Sequence, residues 1–370
     1  MNTLNLYLSH LDYNYSQIQK QLNPKTQIMA VVKAGAYGSA SEAIAKRFEA
    51  LGVDYLAVAY AEEGEILRNY GIKIPIIVFY PQVDSLKIVL ENALEPCLYS
   101  RSLLMTFKSL LTATNNKQYP VHIKYNTGLH RLGFPPEDTD WIISQTASNN
   151  LNLKSVYSHL AASEDQRPSQ LCNQQIALFE TIKKAHSVQK NSIPKFHLLN
   201  SSGVFNYPEL QYDMVRCGIA FHGFANHPKW DALLKPIAVL ESGISQIHNV
   251  KKGSYVGYDK GWKTPIDSKI ATLPLGHADG IGRHFGNHKG SVFIHGIEVP
   301  IVGNVCMDML MIDVTNVKCK PQDIVYFFGT THNTAASFSK QGKSISYEVL
   351  SGLGPRIKSC LLYTSDAADE

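Results

Sequence analysis

Apolar positions in the first two-thirds of the chain come in short runs that alternate with longer stretches of helical spacing. Eight runs rich in β-branched and aromatic residues read as strands. They are IMAVV (28–32), YLAVA (55–59), PIIVFY (75–80), EPCLY (95–99), PVHIKYN (120–126), LKSVYSH (153–159), KFHLLN (195–200) and DMVRCG (213–218). Between them, segments such as SEAIAKRFEALG (41–52) and CNQQIALFETIKKAHS (172–187) place apolar residues at helical intervals. Eight such units predict an α/β chain built on a (β/α)8 TIM-type barrel rather than an open doubly wound sheet. EPCLY is the least regular strand, because Pro96 lacks a ladder donor.

The pattern changes after Trp230. Short β-rich runs separated by Gly and Asp follow, among them AVLESGISQIHNV, SKIATLPLGHAD, GSVFIHGIEVPIVG, MLMIDVT and DIVYFFG, and the helical period is lost. The expected organisation is a barrel over 1–230 and a mostly-β domain over 231–360. The last stretch, 361–370, has no periodicity and reads as a non-native tail.

Composition narrows the function classes. With 370 residues and 44% hydrophobic content, the chain can bury a large core. Net charge is +4, from 35 basic and 31 acidic residues, with no long basic run, which argues against nucleic-acid binding. The first residues carry Asp12 and no apolar centre, so no signal peptide is expected. No run approaches the about 20 apolar residues of a membrane span. The six cysteines are scattered without a CxxC pair and read as reduced thiols of a cytoplasmic protein. No metal is expected.

Barrel enzymes carry reacting groups at the C-terminal ends of their strands. Here those ends bring Lys33 and Tyr37, then Lys124 with Asn126 and Arg131, then His159, then His197, Asn200 and Ser201, and finally Arg216, Gly218 and Ile219. Lys33 follows the apolar run MAVV, so its stem is expected to be buried. Burial lowers a lysine pKa and favours Schiff-base chemistry with an aldehyde cofactor. Alone, it reads more readily as a strand-end lysine reaching for solvent. NSSG (200–203) and RCGIA (216–220) lie after strands seven and eight, where barrels often bind phosphate. Taken singly, Tyr258 reads as a surface tyrosine, Met307 as core, and His159 and His197 as satisfied structural histidines.

The ordered set changes that reading. VVKAGAYG, KYNTGLHRLGF, VYSHLAASED, HLLNSSG, RCGIAFHG, VGYDKGW, PLGHADG and VCMDMLMID resemble, in order, the motifs of alanine racemases. The resemblance spans residues 3 to 358 and implies a barrel plus a β domain, pyridoxal 5'-phosphate as cofactor, alanine as substrate, and a homodimer with shared active sites. It implies that Lys33 holds the cofactor and is one base, and that Tyr258, from the partner, is the other. Two bases on opposite faces of Cα suit racemisation. Tyr37, Ser201, Gly218, Ile219 and Tyr347 would hold the phosphate, and Arg216 would face the pyridine nitrogen. Arg131 and Met307 would contact substrate, His159 would link Tyr258 to Arg216, and Lys124 would be a lysine often carried as a carbamate. The implied role is D-alanine supply for peptidoglycan.

Several positions depart from the common family pattern. Gly35 replaces an Asn, Asn126 a frequent Asp and His277 a frequent Tyr. Asn304 stands where a gate Arg is usual, while Arg283 and Glu164 keep gate charges; Ser359 replaces a common Arg. Two other classes stay open: a broad-specificity or serine racemase of this fold, and a non-catalytic pyridoxal-phosphate-binding protein. A barrel-type decarboxylase is disfavoured, because it would pair the pyridine nitrogen with an acid and not with Arg216.

Overall fold

The computed structural model describes residues 2–147, 150–165, 169–188, 193–329 and 333–363. The chain enters as strand β1 (Thr3–Tyr7) and a helix, Leu8–Gln21. Eight parallel strands follow: β2 (Gln27–Val31), β3 (Tyr55–Val58), β4 (Ile76–Val78), β5 (Glu95–Leu98), β6 (Tyr119–Lys124), β7 (Leu151–Tyr157), β8 (Lys195–His197) and β9 (Met214–Cys217). They pair in the order β8-β7-β6-β5-β4-β3-β2-β9. Between β8 and β9 the ring closes through backbone bonds, Asp213 N–H to Phe196 O (3.1 Å) and Arg216 N–H to Leu199 O (3.0 Å). All eight expected strands form, the Pro96 strand included. Every residue of β5 is buried, so packing on both faces offsets the donor that Pro96 lacks.

The outer helices follow from their apolar spacing. In Arg101–Ala113 the buried residues are Leu103, Leu104, Phe107 and Leu111, and Ser100 Oγ caps the start by accepting from Leu103 N–H. Gln170–Ser187 likewise turns Cys172, Gln175, Phe179, Ile182 and His186 inward. No helix among the described residues is long and apolar enough to cross a membrane. All six cysteines are unpaired.

The second sheet contains β10 (Ala238–Gly243), β11 (Gln246–Val250), β14 (Ser268–Leu273), β15 (Ser291–Ile294), β16 (Ile297–Val302), β17 (Leu310–Asp313), β18 (Ile324–Phe328) and β19 (Lys358–Leu362). A separate ribbon pairs β12 (Tyr255–Val256) with β13 (Trp262–Lys263). β1 belongs to this sheet, antiparallel to β10 and parallel to β19. The chain's start is thus stitched into the β domain before the barrel begins. Leu361 and Leu362, inside the stretch expected as a tail, pair with Leu6 and Tyr7, whereas 364–370 lie outside the described residues.

Helical structure does not vanish after Trp230, contrary to the expectation from spacing. Two short helices, Ala335–Gln341 and Ser346–Ser351, follow β18. Each is too short to show two turns of amphipathic period. The second one matters for the site. It packs on the loop after β2 so closely that a Cβ on Gly38 would meet Leu350 O at 2.0 Å. That contact brings Tyr347 of the β domain to the barrel mouth.

Candidate active site

A cavity of about 280 Å³ opens at the C-terminal ends of the barrel strands. Ten residues singled out from sequence line it: Lys33, Tyr37, Lys124, Arg131, His159, Ser201, Arg216, Gly218, Ile219 and Tyr347. Tyr258 and Met307 do not. They lie on the β domain, exposed by 69% and 59%.

Lys33 stands two residues after β2, and the four residues after it, Ala34 to Tyr37, all have left-handed backbone, with φ of 53°, 63°, 50° and 59°. A left-handed residue other than glycine costs about 1–2 kcal/mol, so this turn must be held by its surroundings. Gly35 is the one residue in it that carries no such cost. Glu63 supplies one clamp: its Oε1 accepts from Ala34 N–H at 2.6 Å, and its Oε2 from Ala59 N–H at 2.7 Å. The turn directs Lys33 into the cavity and buries Tyr37 beneath it. Desolvation lowers the Lys33 pKa, and the positive charge of Arg131 lowers it further, against a weaker opposing pull from Glu63.

Ser201 and Gly218 form a second corner. Ser201 Oγ accepts from Gly218 N–H (3.0 Å) and Ala220 N–H (3.2 Å), tying the loop after β9 to the start of the helix Ser201–Asn206. A Cβ on Gly218 would meet Tyr37 Oη at 2.0 Å, so only glycine fits there. Tyr37 and Tyr347 rings lie 6.0 Å apart, and Asn226 donates to Tyr347 Oη at 3.0 Å. Burial pushes the Tyr37 phenol far up and Tyr347 up to about 12, so both stay protonated donors.

Arg216 is buried with 3% exposure. Its Nη1 donates to His197 Nδ1 at 2.7 Å. Its Nη2 lies 2.9 Å from Ser158 O, 2.9 Å from Leu198 O and 3.2 Å from His159 Nδ1. Desolvation lowers its pKa to about 10, which leaves it charged at neutral pH. Burial first, and Arg216 second, push His159 well below its ordinary range, so that histidine is neutral. Lys124, with 3% exposure, is lowered to about 8, mainly by desolvation, with a smaller push from Arg131, Arg216 and Lys33.

The Arg131 loop survives its departure from the family pattern. Asn126 Oδ1 accepts from Gly128 N–H (3.2 Å) and His130 N–H (2.9 Å), the two bonds an aspartate could also take. Its amide adds a bond to His130 Nδ1 at 3.2 Å. Gly133, at φ 130°, lets the returning chain pass Asn126, where a Cβ would sit 2.6 Å from the backbone nitrogen.

Sequence reasoning missed Tyr80, Tyr157 and Glu63. Tyr80 ends β4's run and lies 5.5 Å, centroid to Nζ, from Lys124, so the strand-end rule could have found it. Tyr157 stacks on His197 at 4.6 Å and under Arg216 at 5.0 Å. No local signal marks it or Glu63.

On the β domain, the Tyr258 turn is built from Gly257 (φ 79°), Asp259 (φ 55°) and Lys260 (φ 53°). Asn304 Nδ2 donates to Tyr258 O at 2.9 Å and Asn304 Oδ1 accepts from Asn287 at 2.9 Å. Arg283 reaches Asp259 at 3.7 Å. The Met307 segment is fixed by His277 N–H to Cys306 O (2.9 Å) and Ala278 N–H to Met307 O (3.0 Å). Gly276 permits that approach, since a Cβ there would meet Met307 O at 2.3 Å.

Fold and site together define a barrel enzyme whose lysine-bearing mouth is joined to a β domain that carries a second, exposed cluster. Residues 6–226 match the family described as alanine racemase, N-terminal domain, and residues 237–361 match alanine racemase, C-terminal domain. The chain belongs to the alanine racemase family. An alanine racemase of Treponema denticola is 33% identical, covering 95% of this chain and 96% of its own. An amino-acid racemase of Enterococcus faecalis is 31% identical over 96% of this chain, which covers 50% of that longer protein. The structure of alanine racemase from Bartonella henselae with covalently bound pyridoxal phosphate superposes with a TM-score of 0.88 at 29% identity, covering 98% of this chain and 99% of its own.

Proposed function

We propose that this protein is a pyridoxal-phosphate-dependent alanine racemase that supplies D-alanine for peptidoglycan. It would act in the cytoplasm as a homodimer whose sites each draw on both chains. The observation that carries this reading is one cavity that holds a lysine of lowered pKa, a buried charged arginine and a glycine cradle.

The donor set fits the cofactor. Its phosphate needs hydrogen-bond donors, and Tyr37, Tyr347, Ser201 and the Ile219 amide would provide them, with the Gly218 amide joining once it turns from Ser201 Oγ. When bound, pyridoxal phosphate supplies a carbonyl that captures an amino group and a ring that delocalises charge left at Cα. Lys33, with its pKa lowered by burial and Arg131, gives up its proton more readily, as it must to attach the cofactor and to take the proton from one face of Cα. Arg216 stays charged and can only donate, so it would keep the ring nitrogen it faces free of a proton. Arg131, at the exposed side of the cavity, would hold the substrate carboxylate. Lys124, lowered to about 8, has the amine needed for carbamate formation, which would give Arg131 an anionic partner. Tyr258 would serve as base on the opposite face, with Met307 beside it, both offered to the partner chain's cavity.

A broader amino-acid racemase is the second reading. The Enterococcus faecalis relative and the Asn304 and His277 substitutions near the expected entrance favour it. A non-catalytic cofactor carrier would leave the β domain and the braced Tyr258 turn without a role. Incubation of the cofactor-loaded protein with each enantiomer of alanine and of serine in heavy water separates these readings. The first reading expects deuterium at Cα of both alanine enantiomers, with serine much slower. Serine exchange as fast as alanine exchange selects the broader enzyme, and no exchange from any of the four rejects catalysis.

A further inference from the structure

Five consecutive barrel strands, β5 to β9, each contribute a buried polar residue to one chain of contacts: Glu95, His122, Ser155, His197 and Arg216. They are joined end to end. Glu95 Oε2 lies 2.8 Å from His122 Nε2, and His122 Nδ1 lies 2.6 Å from Ser155 Oγ. Ser155 Oγ lies 2.8 Å from His197 Nε2, and His197 Nδ1 lies 2.7 Å from Arg216 Nη1. Both histidines have 0% exposure and Ser155 has 1%.

The direction of this chain is fixed by its ends. A guanidinium has no acceptor, so Arg216 must donate and His197 Nδ1 must be bare. The proton of His197 then sits on Nε2 and is given to Ser155. Ser155 then has its single hydroxyl proton to give, and a neutral His122 whose Nε2–H faces Glu95 takes it on a bare Nδ1. His122 in turn carries its proton on Nε2 and gives it to Glu95, whose carboxylate accepts. The Arg216 end fixes the His197 tautomer and the Glu95 end places a proton on His122 Nε2, and the two agree when His122 is neutral. With neutral imidazoles, both histidines are Nε2–H tautomers and the Glu95–His122 contact is a hydrogen bond. Burial and the nearby Arg216 charge, which push His197 well below its ordinary range, agree with that.

We propose that Glu95, His122 and Ser155 form a positioning relay that holds the Arg216 guanidinium in one orientation at the cavity. Glu95, four hydrogen bonds away, is its anionic anchor. Reversing any link would leave two donors or two acceptors facing each other in a dry interior, which is costly. The direction of the relay follows from geometry alone, whereas its effect on turnover rests on the proposed racemase reading.

Nitrogen-15 spectra of histidine-labelled protein without cofactor test the direction first. His122 and His197 are expected as neutral Nε2–H tautomers at pH 7; an Nδ1–H tautomer or an imidazolium at either would overturn the proposal. Ser155→Ala then cuts the relay with the loss of one oxygen. It is expected to lower kcat for alanine about tenfold, to leave KM within about twofold, and to move the visible absorbance of the cofactor-loaded protein. Glu95→Gln keeps an acceptor for His122 but removes the charge, and is expected to lower kcat by less than Ser155→Ala does. Unchanged kcat and absorbance in Ser155→Ala would overturn the proposal. The expected tautomers in a protein that exchanges no alanine proton would reject the racemase reading and leave the relay's direction standing.

Discussion

The Lys33 cavity and the Tyr258 turn are opposite kinds of construction. The first is dry and over-determined: Lys124 and Arg216 are each 3% exposed, and a left-handed turn is pinned by Glu63 on one side and by the Ser346–Ser351 helix on the other. The second is wet: Tyr258 is 69% exposed, and Tyr255, Met307 and Met309 of the same domain are 52%, 59% and 49% exposed. Yet the second is also braced, by Asn304, Asn287 and the Arg283–Asp259 pair. An exposed aromatic on a braced turn is prepared for contact that its own chain does not make. Under the proposed reading, the two regions are half-sites that a second copy of the chain would join.

The largest effect is expected at Lys33. Lys33→Ala should abolish the visible absorbance of the cofactor-bound protein and lower turnover on the order of 10³-fold or more. Persistence of that absorbance would move the cofactor lysine elsewhere. Tyr258→Phe should keep the absorbance, because the turn lies outside the cavity. It should slow removal of the α-hydrogen of L-alanine by about 10²- to 10⁴-fold, and that of D-alanine much less. Equal slowing of both would refute the assignment of one base to each face.

Lys124 sharpens the electrostatic side of the contrast. Its pKa falls from 10.5 in the unfolded chain to about 8 in the fold, so between these values the unfolded chain holds a proton that the folded chain sheds. Stability of the cofactor-free protein should therefore rise with pH between about 8 and 10.5, by up to about 3 kcal/mol. Lys124→Met should remove that rise in denaturant titrations without added bicarbonate. The smallest effect is expected on the exposed side. Asn304→Ala frees the Tyr258 carbonyl and should lower kcat about threefold with stability almost unchanged, because one exposed hydrogen bond is worth about 0.5–1 kcal/mol.

The barrel was legible because its strands are buried on both faces and so read as apolar runs. Even the Pro96 strand was visible from the residues around it. β1 was not, since the short alternation in TLNLY gains meaning only beside Glu241 and Lys358, far away in sequence. In the site, strand ends and ordered motifs gave ten of the twelve named residues a common cavity. Tyr258 and Met307, read from resemblance, lie outside it in this chain. The left-handed turn after Lys33 left no mark except Gly35, because alanine at positions 34 and 36 carries no sign of positive φ. The Glu95 relay was hidden for another reason. Periodicity does not tell which polar residue of a short barrel strand points inward, and each partner lies on a different strand.

Subunit mixing tests the two-half-site account most directly. Lys33→Ala and Tyr258→Phe protein, each inactive alone, are combined in equal amounts under conditions that exchange subunits. If Lys33 and Tyr258 meet across a dimer, half of the dimers are mixed and each regains one intact site, so about a quarter of wild-type racemisation returns. No recovery beyond the sum of the two variants, with subunit exchange verified, would contradict the account.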